Sequence, residues 1–143
     1  MAYQVSVFLE NKKGHFRQVT SVLTNANVNI HAMTLSTTTM GWGVLNLIVD
    51  KPEEAKTALK DCGHPVALRK IIALVMDDNV GGLDRALSYL EQAGINMETA
   101  YGRNSQVGNK AALIVDVNEV EDAEKTLLDL GVQLLTNDEV YHF

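Results

Sequence analysis

An internal repeat constrains the fold of this chain more than any other feature of its sequence. The residues around Gly14 match those around Gly81 without a gap, 67 positions later, and the same offset places Asn29 on Asn96. A duplicated sequence predicts a duplicated fold, in which each copy forms one supersecondary unit. The chain of 143 residues is therefore expected to hold two similar units.

Later matches set the bounds of the two copies. Residues 47–50 match residues 113–116 at an offset of 66 positions. Because insertions and deletions belong in loops, this offset predicts a hairpin turn one residue shorter in the second copy. We place the first domain at residues 1–70 and the second at residues 71–143.

The hydrophobic periodicity changes in the same order in both copies. Alternating apolar residues from Val5 to Leu9 predict a strand, and an apolar stripe at helical spacing follows from Phe16 to Ala26. Two strands joined by a polar turn, a second helix and a last strand complete the copy. The order βαββαβ, twice, predicts an α+β fold of two ferredoxin-like units, each an antiparallel sheet with its helices on one face. Because residues 66–69 run directly into the second copy, we expect the units to lie side by side.

The net charge and the cysteine content exclude several classes of protein. A formal net charge of −6 argues against a nucleic-acid partner, because such proteins present a basic face to the phosphate backbone. Cys62 is the only cysteine, so no disulfide within the chain is expected, and its apolar neighbours predict that it is buried. No stretch has the length of a membrane span and the amino terminus lacks a secretory signal, so we expect no membrane partner and a cytoplasmic protein.

No set of residues has the pattern of a catalytic or metal site. The four histidines are scattered without the short spacing of metal ligands. No serine lies in a recognised nucleophile motif. Asp50 and Asp116 are interpreted as strand ends that lead into helices. We therefore expect neither enzyme activity nor a bound metal ion.

The most informative residues form the loop between the first strand and the first helix of each copy. Each loop has a glycine where the helix starts, Gly14 or Gly81. Glycine permits unusual backbone angles, and the N–H groups and dipole of a helix start favour an anion such as a carboxylate. The alternative is an ordinary tight turn from strand to helix.

A second polar position recurs in both copies, between the end of the first helix and the start of the next strand. Asn29 and Asn96 each lie between apolar residues there. An asparagine amide offers a donor and an acceptor, which suits the carboxylate and the ammonium group of an α-amino acid. The alternative is an amide that satisfies local backbone groups at a turn.

These residues resemble the signature of ACT domains. Residues 10–16, which read Glu-Asn-Lys-Lys-Gly-His-Phe, and residues 27–30, which read Asn-Val-Asn-Ile, carry the resemblance, and the second copy repeats it. The resemblance covers essentially the whole chain and is strongest to stand-alone tandem ACT proteins that lack an attached enzyme. It implies a regulatory protein without a cofactor that binds an amino acid between its two repeats and modulates a metabolic enzyme or a regulator.

The resemblance also implies which residues contact the effector. In ACT domains the loop asparagine and the asparagine that opens the second strand contact it from partner units. Transferred to this chain, Asn11 pairs with Asn96, and Asp78 pairs with Asn29. The candidate ligand-binding residues are Asn11, Lys12, Lys13, Gly14, His15, Phe16, Asn29, Asp78, Asn79, Gly81, Gly82 and Asn96.

The two loops depart from the family pattern and from each other. The proline that usually precedes the glycine is absent from both, which makes the loops less rigid. Lys12, Lys13 and His15 favour an anion at the first loop, whereas Asp77 and Asp78 oppose one at the second. We therefore expect the first loop to be the stronger carboxylate receptor.

Apolar residues on both faces of several strands suggest that a partner covers the sheet. Phe8, for example, points away from the face that carries Val7 and Leu9. Because helices cover only one face, a homodimer is expected. The alternative function is a constitutive dimerisation or scaffolding module that keeps the ACT architecture and binds no ligand.

Overall fold

The computed structural model describes residues 2–106 and 108–143. Within these residues the strands are β1 (Ala2–Glu10), β2 (Ile30–Thr37), β3 (Trp42–Val49), β4 (Val66–Asp77), β5 (Met97–Asn104) and β6 (Lys110–Val117). The helices are α1 (His15–Asn25), α2 (Pro52–Asp61), α3 (Gly82–Gln92), α4 (Val120–Asp129) and α5 (Asn137–His142). None of these helices is long and apolar enough to cross a membrane. The chain divides into two compact units, Tyr3–Arg69 and Lys70–Phe143, and Ala2 belongs with the second.

The first unit has a mixed core between an antiparallel sheet and two helices. β3 pairs with β1 on one side and with β2 on the other. Alternate residues of β1 and β3 point to the same face and are buried against α1 and α2. The buried residues of this core are Val5, Val7, Leu9, Val19, Leu23, Val28, Leu45, Leu47, Val49, Ala55 and Leu59. This arrangement confirms the predicted ferredoxin-like α+β fold.

The second unit repeats this plan with a different ending. β6 pairs antiparallel with β4 and β5, and α3 and α4 supply the other half of the core. The fourth strand is reduced to one bridge between Leu74 and Leu134. The chain then enters α5, which begins with a capping box between Thr136 and Glu139. The second unit therefore follows the predicted βαββαβ order up to its last strand. That strand is replaced by a single bridge, and a further helix follows that was not predicted.

The prediction of a shorter hairpin in the second copy was wrong. Val5 pairs with Leu47, whereas Ile72, which lies 67 positions after Val5, pairs with Val115, 68 positions after Leu47. The segment between β5 and β6 is thus one residue longer than the segment between β2 and β3. The sequence match was misplaced by two residues. Because a shift of two residues keeps every apolar side chain on the same face of the strand, the hydrophobic pattern could not reveal the error.

This register changes the residue of the first repeat to which Asp116 corresponds. Asp116 corresponds to Ile48 and lies within β6, where only 3% of its surface is exposed. Asp116 is the penultimate residue of β6 and α4 begins at Val120, so the interpretation as a strand end that leads into a helix is confirmed to within one residue, although its burial was not predicted. Tyr101 on β5 is largely buried as well, and burial, followed by the negative charge of Asp116, raises the pKa of its phenol.

Tyr101 is expected to stay protonated when the protein is titrated to alkaline pH. Because its pKa is raised in the folded state, its contribution to stability is present below the ordinary tyrosine pKa of about 10 and is lost as the pH rises toward the folded value. Absorbance near the tyrosinate band should show this tyrosine ionising only as the protein unfolds. Tyr101→Phe should remove that late step, whereas Tyr89→Phe should leave it in place.

The position of Cys62 also differs from the prediction. Its side chain is exposed, although its apolar neighbours predicted burial. Ala55 and Leu59 lie on the buried face of α2. The helix ends at Asp61, however, and Cys62 is its C-cap. The helical spacing that predicted burial therefore no longer applies at this residue.

Candidate functional site

The first candidate loop connects β1 to α1 and is tied to the neighbouring hairpin. Gly14 is the N-cap of α1 and has a φ of 87°, in the left-handed region that favours glycine. The backbone N–H of Asn11 donates to the carbonyl of Gly41 at 2.8 Å, and that of His15 donates to the carbonyl of Lys12 at 3.1 Å. No side chain caps the start of α1. The loop therefore has a defined shape and presents uncapped N–H groups.

The charges at the first loop are partly balanced. The ammonium group of Lys12 lies 2.6 Å from Oε2 of Glu10. This hydrogen bond, together with the charge of Lys12, lowers the pKa of the Glu10 carboxyl. Lys13 is exposed and His15 is half-buried at the start of the helix. One positive charge thus remains in excess at Glu10, Lys12 and Lys13.

The second candidate loop repeats this backbone geometry between β4 and α3. Gly81 is the N-cap and also has a φ of 87°. The N–H of Asp78 donates to the carbonyl of Asn109 at 2.8 Å, and the N–H of Gly82 donates to the carbonyl of Asn79 at 3.1 Å. The candidate residues Asp78, Asn79, Gly81 and Gly82 therefore all belong to one tight turn.

Gly82 makes the second loop tighter than the first. A Cβ atom at this position would lie 1.9 Å from the carbonyl oxygen of Asp77 and 3.0 Å from its carbonyl carbon. The equivalent residue in the first repeat is His15, which starts α1 with a full side chain. The second loop thus folds back onto the end of its strand in a way that only glycine permits.

Two cations that the sequence prediction did not include lie at the second loop. Lys110 Nζ donates to the carboxylate of Asp77, and Arg85 Nη2 lies 3.7 Å from the same carboxylate. Arg85 also donates to Oδ1 of Asn79 at 3.1 Å. The hydrogen bond from Lys110, then its charge, and to a smaller extent the charge of Arg85 lower the pKa of Asp77. The negative charge of Asp77 is therefore balanced, and the second cation offsets the negative charge of Asp78 in the same turn.

The sequence contains features that could have predicted the positions of Arg85 and Lys110. Arg85 lies four residues after Gly81, so one turn of helix returns its side chain to the loop. Lys110 on β6 faces Asp77 on the neighbouring strand β4, where opposite charges attract. The misplaced hairpin register set Gly108 opposite Asp77 and hid this pair.

A cleft opens beside these charges, within the second unit. It lies between α3, the end of β4 and residues 131–133, and its volume is about 200 Å³. Asp77, Arg85 and Lys110 line one part of it, and Gly82 is the member of the predicted set that also lines it. Its apolar walls are Leu74, Met76, Ala86 and Val132. The cleft therefore combines charged groups with apolar side chains that are mostly buried, so most of its exposed lining is polar.

The predicted asparagines lie away from the loops of their own repeats. Asn29 follows α1 and Asn96 follows α3, so a helix of 11 residues, about 16 Å long, separates each from its own loop. The backbone N–H of Asn29 donates to Oδ1 of Asp50 at 2.9 Å. Both asparagine side chains are exposed. Within one repeat, the structure does not bring the loop and the asparagine together.

Asn96 lines a second cleft of about 270 Å³ in the second unit. Asn118, Glu119 and Asp122 lie in the same cleft and make it acidic. Asn118 Nδ2 donates to Oε1 of Glu98 at 3.0 Å. In the described part of the chain, no group of three or more histidine, cysteine, aspartate or glutamate side chains is placed to hold a metal ion.

Comparisons with known proteins agree with the predicted family. A family model described as an ACT domain pair matches residues 1–143. The crystal structure of protein BT0572 from Bacteroides thetaiotaomicron is similar, with 29% identity and a TM-score of 0.89 over 99% of this chain and 96% of that chain. A search of curated proteins finds no match.

More distant structures share the fold. The ligand-free regulatory subunit of aspartate kinase from Thermus thermophilus has 14% identity and a TM-score of 0.65, over 89% of this chain and 90% of that chain. The corresponding subunit from Thermus flavus has 12% identity and a TM-score of 0.55, over 90% and 93%. The family model covers every residue, and the chain therefore belongs to the ACT domain pair family.

Proposed function

We propose that this protein is a regulatory module that binds an amino acid and, in the bound state, changes its contacts with a metabolic enzyme or a regulator. Membership of the ACT domain pair family supports a regulatory, ligand-binding role. Structures with the same fold include regulatory subunits of aspartate kinase. Catalysis is not part of this proposal.

The observation that carries the proposal is the glycine loop, which is built twice. Gly14 and Gly81 have the same left-handed φ at the N-cap of a helix, and neither helix start has a side-chain cap. Uncapped N–H groups and the helix dipole favour an anion. The excess positive charge beside the first loop adds to this attraction, and Arg85 and Lys110 place two cations beside the second loop. A carboxylate is the part of an amino acid that fits these features.

The position of the asparagines shapes the rest of the proposal. Because a whole helix separates each asparagine from its own loop, an amino acid is too short to contact both within one repeat. The ACT resemblance pairs Asn11 with Asn96, and Asp78 with Asn29. We propose the same pairing here, so that one effector is shared by the two repeats and favours one arrangement of the protein.

A thermal-shift screen against the twenty proteinogenic amino acids tests the proposal. A ligand at about 100 times its Kd should stabilise the protein by roughly 2.7 kcal/mol and raise the Tm by several degrees. Asn11→Ala and Asn96→Ala should each reduce the shift more than Asp78→Ala. Asn25→Ala, which changes an exposed asparagine outside the loops, is the control and should keep the full shift. If no amino acid moves the midpoint at millimolar concentration, the proposal fails.

A dimerisation module without a ligand is the second candidate function. Phe8, Met40 and Trp42 lie around the hairpin of the first unit and are 50%, 85% and 58% exposed. Large apolar side chains in such a group favour a protein partner, for which a second copy is the simplest choice. Light scattering on the samples of the screen separates the two functions: a dimer in which no amino acid shifts the Tm favours the ligand-free module.

A further inference from the structure

We propose that the second repeat binds the carboxylate of the effector at Arg85 and Lys110, inside the cleft beside α3. This inference rests on the proposed function and deepens it, because it names the groups that recognise the ligand. It adds two residues that neither the loops nor the asparagines include. It also assigns the ligand class: a single α-amino acid, held by its carboxylate and ammonium groups.

The charges in the cleft fit a zwitterion. Asp77 supplies one negative charge, and Arg85 and Lys110 supply two positive charges around it. Among the residues that line the cleft this leaves one positive charge in excess, whereas Asp78 and Asp84 lie nearby outside the lining. A carboxylate can pair with Arg85 and Lys110 while an ammonium group pairs with Asp77, so each charge of a zwitterion meets an opposite charge.

Arg85 is held in place before any ligand arrives. Its guanidinium donates to Asn79 at 3.1 Å and lies 3.7 Å from Asp77, so it is anchored at the loop and at the end of the strand. A side chain that is already ordered loses less conformational entropy when it binds. The planar guanidinium also presents paired N–H groups that match the two oxygens of a carboxylate.

The size of the cleft limits the ligand. Its volume of about 200 Å³ lies below the range of about 300–1,000 Å³ that is common for larger ligands. Leu74, Ala86 and Val132 form apolar walls beside the charged end. A cleft of this size holds a molecule as small as an amino acid, whereas a nucleotide does not fit.

The first repeat lacks these groups. The residue equivalent to Arg85 is Gln18, and the corrected hairpin register makes Trp42 the equivalent of Lys110. Only the second repeat therefore has two basic side chains at this place in the fold. The second repeat therefore offers a carboxylate receptor that the loop charges alone do not predict.

Titration calorimetry on charge-neutral variants tests the inference. The probes are the proteinogenic amino acid with the largest thermal shift and its α-amide, which lacks the carboxylate charge. Arg85→Gln gives the second repeat the residue that the first repeat has, and Arg85→Gln and Lys110→Gln should each raise the Kd of the amino acid by about tenfold or more. Lys125→Gln removes an exposed positive charge from α4 of the same repeat and should leave the Kd unchanged.

The amide separates a direct contact from a general loss of structure. It should bind the unaltered protein at least about tenfold more weakly than the acid, and this difference should shrink in Arg85→Gln, as expected for two groups in contact. If Arg85→Gln and Lys110→Gln bind the amino acid as well as the unaltered protein does, or if acid and amide bind equally, the inference is wrong and the proposed function stands. If no amino acid binds the unaltered protein, both are wrong.

Discussion

Gly82→Ala is expected to lower the free energy of unfolding by at least about 3 kcal/mol, at the upper end of the usual cost of overpacking. The new Cβ would lie 1.9 Å from the carbonyl oxygen of Asp77. That oxygen belongs to the backbone of β4, so no side-chain rotation removes the overlap, and the start of α3 must move away from the strand. Equilibrium unfolding in urea, followed by circular dichroism, measures the loss.

Two other glycines give matched controls for this contact. Gly102→Ala places a methyl group on β5 in open space and should change stability by less than about 0.5 kcal/mol. Gly81→Ala tests the backbone angle instead, because its φ of 87° costs a residue with a Cβ about 1–2 kcal/mol. The expected order of loss is Gly82, then Gly81, then Gly102. A Gly82→Ala protein as stable as Gly102→Ala would contradict the contact described for the loop.

The repeat and its periodicity predicted most of the fold because both depend on local chemistry. The apolar residues at helical spacing in α1 and α3 and the alternation in β1 report directly which face is buried. The Schellman-like ends of the helices and the left-handed glycines of the loops follow from the same local rules. The fourth strand of the second unit is different, because its pairing depends on what residues 131–135 meet in three dimensions.

The pairing of β5 with β6 shows where local patterns fail. The pleat of a strand repeats every two residues. A match that is displaced by two residues therefore keeps each side chain on its correct face of the sheet but pairs it with the wrong residue of the neighbouring strand. That displacement hid the burial of Asp116 and the contact between Asp77 and Lys110. By contrast, α5 had a readable signal, because Thr136 and Glu139 have the spacing of a capping box.

The candidate site was predictable only in part, for a similar reason. The loop residues are consecutive in sequence, so their geometry at the start of each helix follows from the glycine and the strand before it. Arg85 and Lys110 come to Asp77 from a helix and from a neighbouring strand. To predict contacts of this kind, both the rotation of the helix and the register of the strands must be known. An error in either one leaves the cluster of Asp77, Arg85 and Lys110 unpredicted.

Leu74→Ala is expected to lower the free energy of unfolding by about 2–5 kcal/mol, the usual range for a buried leucine. Leu74 is fully buried in the core of the second unit and faces Leu113 across the sheet. Removing its branched end leaves a cavity that α3 and α4 can fill only by shifting, because cores are close-packed. Urea unfolding with an unchanged m-value is the measurement.

Val7 supplies the control, because it holds the equivalent position in the first repeat and is also fully buried. Val7→Ala removes one carbon atom fewer, so its loss should be smaller by about 1 kcal/mol from the transfer of that group alone. Leu74→Met keeps the volume and should cost less than about 1.5 kcal/mol. Because Leu74 also lines the cleft beside Arg85, Leu74→Ala should weaken amino-acid binding as well as stability, whereas Val7→Ala should affect stability alone. Equal losses of binding in both variants would place the ligand outside this cleft.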